Sequence, residues 1–191
     1  LTILKLKYLF ESTNIIPGRY EIKPSMTYVE LMEDIFEGNL QQFRFTIIEG
    51  TVAKDALRKL RQIIKNNNLN FQISSKTLEI FSKESLILPD TYFFTDRQQL
   101  ERLMINQKIR LDNILTRLWK NKPKDNPLKS INEALVLASI VEREAAVEWE
   151  RAQISSVFLS RIRDGWRLDA DPTLIYGYYG DFSKKITKEN L

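Results

Sequence analysis

The sequence predicts an α+β fold: a small strand–helix–strand unit in front, a mostly helical stretch behind it, and a mixed region to the end. Three observations carry this. Residues 43–48 alternate and then run apolar, as a strand does. Residues 97–119 repeat apolar side chains at helical spacing. Two hydroxyl residues are each followed three positions later by Glu, Thr27 by Glu30 and Ser130 by Glu133, and both pairs read as capping boxes. With 191 residues, 43% hydrophobic and 28% charged, the chain suits one or two domains with a real core.

The elements follow in order. Leu1–Phe10 is apolar without a clear period. Pro17-Gly18 signals a turn, and Arg19-Tyr20-Glu21-Ile22 reads as a short strand. A helix starts at Thr27, carries Leu31, Ile35 and Phe36, and stops at Gly38. With the strand at 43–48 this makes a first unit, 1–48; the second spans 49–191, with a helical insert over about 52–120. Within it Thr51 caps a helix to about Lys65, residues 71–86 form a mixed helical piece, and Pro89-Asp90-Thr91-Tyr92 is a turn into Phe93-Phe94. The long helix over Arg97–Trp119 gives way to a charged linker with Pro123 and Pro127. The helix behind Ser130 runs to about Val147, and the next over Glu150–Asp164, with Ile154, Val157, Phe158 and Ile162 on one face and Gly165 as its stop. Asp171-Pro172-Thr173 reads as a helix start with an Asp cap and Pro in first position.

Composition removes several chemistries. There is no Cys and no His, which excludes disulfides, Cys nucleophiles, Ser-His-Asp triads and His-ligated zinc. Acid–base work near neutral pH falls to carboxylates, Lys or Tyr. No metal and no cofactor is expected. The net charge of +4 favours anionic partners without choosing among them. No run of about 18 apolar residues occurs, and no signal peptide is visible. The chain opens on Leu1 rather than Met and is read as a piece of a longer protein, with an anchor upstream.

One carboxylate stands out. On a helix over Ile131–Val147, at about 100° per residue, Leu137, Ile140 and Val141 share an arc, and Glu144 falls inside it. Arg143 points to the polar side, and Glu142 lies at the opposite edge, by Leu135 and Ala138. A carboxyl in apolar surroundings keeps its proton to higher pH and can donate it to a leaving oxygen, the general-acid role in glycoside cleavage. The competing reading pairs Glu144 with Arg143, Arg151 or Arg161.

The run Leu137-Ala138-Ser139-Ile140-Val141-Glu142-Arg143-Glu144 resembles the Ala-Ser-Ile-Val-Glu-Lys-Glu signature of the MltG/YceG family of endolytic murein transglycosylases. At the family's spacing follow Glu150-Arg151, Val157–Ile162, Arg167–Thr173 and Ile175-Tyr176-Gly177. Upstream, Pro17–Tyr20, Glu49-Gly50 and Leu88–Tyr92 fall in the family's order. The resemblance implies a LysM-like module at 1–48 and a YceG-like catalytic domain from 49, continuing past Leu191 with segments that wall the cleft. It implies Glu144 as the catalytic acid, cutting MurNAc–GlcNAc bonds within nascent peptidoglycan strands to leave 1,6-anhydro-MurNAc ends. It implies a single-pass anchor in the inner membrane, this region on the periplasmic side, and association with glycan-polymerising synthases. One carboxylate can suffice, because the sugar's own C6 hydroxyl attacks C1 and the same Glu then takes its proton.

By the same resemblance Glu150, Arg151, Ser160, Arg161, Arg167, Asp169, Asp171, Thr173 and Tyr176 are expected to bind substrate. Bland readings stand beside them: Asp171 as a helix cap, each Arg as a structural partner of Glu142, Glu148 or Glu150, and Tyr176, Tyr178 and Tyr179 as packing. Three positions depart from the family pattern: Ala145 replaces Thr, Ser160 replaces Asn, and Asp169 replaces Gln. These departures and the missing segments make weak or absent activity the expectation for this piece alone. The alternatives are a non-catalytic glycan-binding scaffold, which releases no soluble products from sacculi, and a nucleic-acid binder. The latter lacks a basic stripe interleaved with aromatics, so no nucleic acid is expected as a partner.

Overall fold

The computed structural model describes residues 15–84 and 86–185. The apolar run at Leu1–Phe10 lies outside them. Nine helices and strands are ordered α1 (Tyr28–Glu37), β1 (Phe43–Ile47), α2 (Ala53–Asn66), α3 (Ser75–Ile80), β2 (Asp90–Phe94), α4 (Arg97–Lys120), α5 (Ile131–Glu144), α6 (Glu150–Arg163) and α7 (Asp171–Tyr179) among the described residues. This is an α+β arrangement around one two-stranded sheet.

Local sequence explains α1. Glu30 accepts from the Thr27 amide at 2.7 Å while the Thr27 hydroxyl accepts from the Glu30 amide at 3.3 Å, the reciprocal box that the spacing predicts. Gly38 ends the helix at φ +74. The left-handed dihedral favours glycine; a Cβ there would also meet Ile16 Cδ1 at 2.4 Å, a side-chain tip that would have to move aside. The strand expected at Arg19–Ile22 does not form. Only the Arg19 carbonyl is bonded to backbone, by the Gln41 amide at 2.8 Å, and one such bond is not a ladder. The Arg19 side chain instead donates to the Asn67 carbonyl at 2.7 Å, meeting the negative end of α2.

β1 finds its partner beyond residue 48. It pairs antiparallel with β2 in the register Phe43↔Phe94, Phe45↔Tyr92, Ile47↔Asp90. Asp90, Thr91 and Tyr92, read from sequence as part of a turn into Phe93-Phe94, are therefore strand. Phe43, Phe45, Ile47, Tyr92 and Phe94 face inward and join Ala56, Leu60, Ile80, Phe81, Leu100 and Met104 from α2–α4 in one apolar cluster. The last strand of the 1–48 unit thus shares its sheet and core with the segment that follows. Burial and the neighbouring Asp90 push the Tyr92 phenol up to about 12, and its hydroxyl donates to the Leu88 carbonyl.

Helix starts are capped locally where a side chain allows it. Ser74 receives the Thr77 amide at 3.2 Å and Asp96 the Gln99 amide at 2.8 Å. For α2 the expected Thr51 cap is replaced. Val52 is the N-cap with no side-chain bond, and the Ala53 amide donates to Glu84 Oε2 at 2.7 Å. At α5 the Ser130 hydroxyl accepts from the Glu133 amide at 3.1 Å, but Glu133 reaches back to the Lys129 amide rather than completing the box. α4, about 36 Å long at 1.5 Å per residue, spans the molecule. Leu100 and Met104 enter the first cluster, while Trp119 packs on a second, formed by Leu128, Leu137, Ile140, Val141, Phe158 and Ala170.

Phe94 is fully buried, with its ring 5.8 Å from that of Phe43. Phe94→Ala should destabilise the protein by about 3–5 kcal/mol, read from urea unfolding midpoints. A loss under about 1 kcal/mol would show that the sheet does not organise this cluster.

Candidate active site

α5 turns two different faces to the molecule. At about 100° per residue, Asn132, Leu135, Val136, Ser139, Glu142 and Arg143 form one stripe. These six line a cavity of about 600 Å³ between the two apolar clusters. The facing wall comes from the 47–53 loop, from Ile80, Phe81 and Glu84, and from Tyr176 and Phe182. The opposite stripe, Leu137, Ile140 and Val141, is buried, in the cluster that also holds Phe158 of α6.

Glu144 continues the buried stripe but is itself exposed. The expected oily surroundings are absent among the described residues, and the reason is position. Glu144 is the last residue of α5, and Ala145 leaves the helix at φ −73, ψ 120. The helix stops three residues short of Val147 because Glu150 Oε2 takes the Ala146 and Val147 amides at 3.0 and 3.3 Å. Glu144 makes no hydrogen bond or ion pair among the described residues. The pairings considered for it are taken elsewhere. Arg143 donates to the Gly50 carbonyl and stacks 3.8 Å over the Phe182 ring. Arg161 donates to the Leu168 carbonyl. Arg151 grips Glu142.

That grip is bidentate. Arg151 Nε and Nη2 donate to Glu142 Oε2 and Oε1, both at 3.0 Å. The hydrogen bonds and charge of Glu142, with lesser help from Glu148 and Glu49, hold the guanidinium above its ordinary value. The pair ties the end of α5 to the first turn of α6 across the 145–149 bridge. Gly50 sits over it at φ +69, where a Cβ would lie 3.1 Å from Arg143 Nε and 3.6 Å from Glu142 Cγ. The 49–50 loop therefore rests on the helix end that carries both glutamates.

The remaining predicted residues are spread out. Glu150, Arg151 and Glu144 surround the 145–149 bridge. Ser160 is exposed on α6. Arg167 and Asp169 stand in the loop after α6, 3.8 Å apart and mostly in solvent, with Asp169 at φ +48. Asp171 does not cap α7; Ala170 holds that place without a side-chain bond, and Asp171 is the first helical residue. The Thr173 hydroxyl donates to the Ala170 carbonyl at 2.6 Å. Thr173 and Tyr176 line the cavity, whereas Glu144 does not.

Two anchors had no sequence signal, because their partners are far away in the chain. Glu84 takes the Tyr176 hydroxyl at 3.2 Å as well as the Ala53 amide, so one carboxylate joins α7 to the start of α2. Burial first, and Glu84 beside it, raise the Tyr176 phenol. Asp181, nearly buried, accepts from the Ser183 hydroxyl at 2.6 Å and its amide at 2.9 Å, and pairs with Lys54 at 3.3 Å. These contacts, those of Ser183 foremost, lower its carboxyl to about 2. Among the described residues no metal-ligating cluster occurs, and no helix is long and apolar enough to cross a membrane.

Two outcomes follow. A double-mutant cycle on Glu142→Gln and Arg151→Met should give a coupling of about 1 kcal/mol that shrinks in high salt, since both side chains are partly solvated; no coupling would deny the clamp. Asp181 binds its proton less readily folded than unfolded. Its contribution is therefore complete above pH 3.8 and fades as pH falls towards 2. Urea midpoints of Asp181→Asn should be lower than wild type at pH 5 and converge with it near pH 2; parallel curves would contradict this.

Comparison with known proteins places this arrangement. An endolytic murein transglycosylase of Bacillus subtilis (strain 168) is 25% identical over 182 residues, covering 83% of this chain and 50% of that protein. The chain thus spans about half the length of that relative. The crystal structure of a yceG-like protein from Listeria monocytogenes shares the fold with a TM-score of 0.56 at 22% identity, over 99% of this chain and 70% of the other. The model of the YceG-like family matches residues 2–191, and the chain belongs to that family.

Proposed function

We propose that this chain carries the acid-bearing part of a peptidoglycan lytic transglycosylase. It would cut MurNAc–GlcNAc bonds within nascent strands and leave 1,6-anhydro-MurNAc ends. Glu144 protonates the bridging oxygen, an oxocarbenium-like state develops, and the C6 hydroxyl attacks C1 while the ionised Glu144 accepts its proton. The observation that carries the assignment is the division of labour between the two signature glutamates. Glu142 has both oxygens engaged by Arg151, and a carboxylate so committed is a poor proton donor. Glu144 has no partner among the described residues and stands at an open helix end. Its desolvation would come from the glycan closing over it, with help from the cleft-walling segments that the resemblance places after this region.

Around it, Arg151 and Glu150 hold the bridge behind the acid. Arg161, through the Leu168 carbonyl, holds the loop that carries Arg167 and Asp169; Asp171, Thr173 and Tyr176 on α7 and Ser160 on α6 are the other side chains that the resemblance assigns to substrate. A glycan-holding role for the LysM-like 1–48 unit, a single-pass anchor with this region outside the cytoplasmic membrane, and association with glycan-polymerising synthases rest on the resemblance. The relative named as a murein transglycosylase supports peptidoglycan as the substrate class.

The test uses the protein at its full natural length, and its Glu144→Gln form, on uncrosslinked glycan strands. Mass spectrometry should find anhydro ends with the former and about 10³-fold slower formation with the latter. An undiminished variant would remove Glu144 from the mechanism. Binding to sacculi with no product from either form would make the protein a scaffold.

A further inference from the structure

Residues 145–149 form a short bridge between Glu144 and α6, and it is tied at both ends. The Ala145 amide donates to the Val141 carbonyl at 2.9 Å, and Glu150 holds the Ala146 and Val147 amides. The Glu150 and Arg151 amides donate back to the Val147 and Glu148 carbonyls, both at 3.2 Å. The Glu142–Arg151 clamp closes the span from below. A bridge bonded in this way has a fixed backbone path.

It nonetheless holds out a large aromatic. Trp149, in the N-cap position of α6, is 67% exposed, and Val147 beside it is 45% exposed. The indole makes no ring contact or hydrogen bond among the described residues. Leaving that much apolar ring in water forgoes the gain that burial brings, on a backbone held at both ends by hydrogen bonds. Trp166 is equally exposed, at 71%, but follows the other end of α6, about 20 Å along at 1.5 Å per residue.

We propose that Trp149 is a stacking platform for a pyranose ring of the glycan strand, holding the sugar beside Glu144. This rests on the glycan-cleaving reading above. The C–H face of a pyranose is apolar and weakly positive, which suits the negative face of an indole. A glycan in particular suits this place, because the exposed ring ends the hydrogen-bonded 145–149 bridge and the unpaired carboxylate of Glu144 immediately precedes that bridge. A ring held there fixes the linkage oxygen against the acid, where position alone can be worth orders of magnitude in rate.

The test uses the full-length protein carrying Glu144→Gln, which prevents turnover, with uncrosslinked glycan strands as the probe. Tryptophan emission should shift to shorter wavelength on binding, and Trp166→Phe should leave that shift intact. Trp149→Phe should abolish the shift yet keep calorimetric affinity within a fewfold, because a ring remains. Trp149→Ala should weaken binding on the order of tenfold and, with Glu144 restored, raise KM more than it lowers kcat. Unchanged thermal midpoints would show that each variant folds. If Trp149→Ala binds and cleaves like the parent, the platform is overturned while the acid assignment stands. If the parent neither binds nor cleaves glycan, both fall together.

Discussion

The bidentate contact between Glu142 and Arg151 is the constraint around which the rest of this region is arranged. It joins the last turn of α5 to the first turn of α6 through two 3.0 Å bonds. Together with the bonds from the Ala146 and Val147 amides to Glu150, it resists unwinding of the helix end towards α6. The helical period does the sorting. Two residues apart means about 160° apart around the axis, so when Glu142 faces the cavity and its guanidinium, Glu144 must face the other way. A signature with two glutamates in this spacing assigns them different environments by geometry alone.

The second constraint is that α5 has neighbours on both sides. Its buried stripe belongs to the cluster with α6, and its other stripe forms one wall of a cavity shared with the β1–β2 cluster. α4 spans the two clusters, and few long-range polar contacts bridge the cavity. Arg143 crosses to the Gly50 carbonyl and the Phe182 ring; Glu84 gathers the Ala53 amide and the Tyr176 hydroxyl; Lys54 reaches Asp181. Each such contact offsets the cost of taking polar groups out of water only when its partners are already positioned, so the two halves organise one another.

Several elements were legible because their causes are local. The Thr27–Glu30 box, the left-handed glycine at position 38 and the strand at 43–47 depend on residues within one or two turns of themselves. Others were misread because their causes are distant. Arg19–Ile22 alternates like a strand but has no second strand to pair with, whereas Asp90-Thr91-Tyr92 reads as part of a turn and becomes strand because β1 lies beside it. The start of α2 was assigned to Thr51, yet Glu84 supplies the acceptor from outside the helix. The end of α5 was placed at Val147, and Glu150 moves it to Glu144 by taking the free amides. In each case the presence or absence of a partner beyond the element's own boundary, a strand for the first two and a carboxylate for the others, overrode the local preference.

The sequence by itself determined the family, the candidate acid and the helical phase relating Glu142 to Glu144, because spacing along a helix is a property of the chain. It also determined that these 191 residues supply no thiol and no imidazole, since neither Cys nor His is present. Only the tertiary structure decided which glutamate Arg151 engages, that Glu144 emerges at an open helix end instead of an apolar pocket, and that Trp149 is left exposed at the end of the bridge that follows it. Those outcomes depend on where α6 begins and on what the neighbouring loops cover. Burial and pairing are set by the summed positions of residues far apart in the chain, which no single helical projection contains.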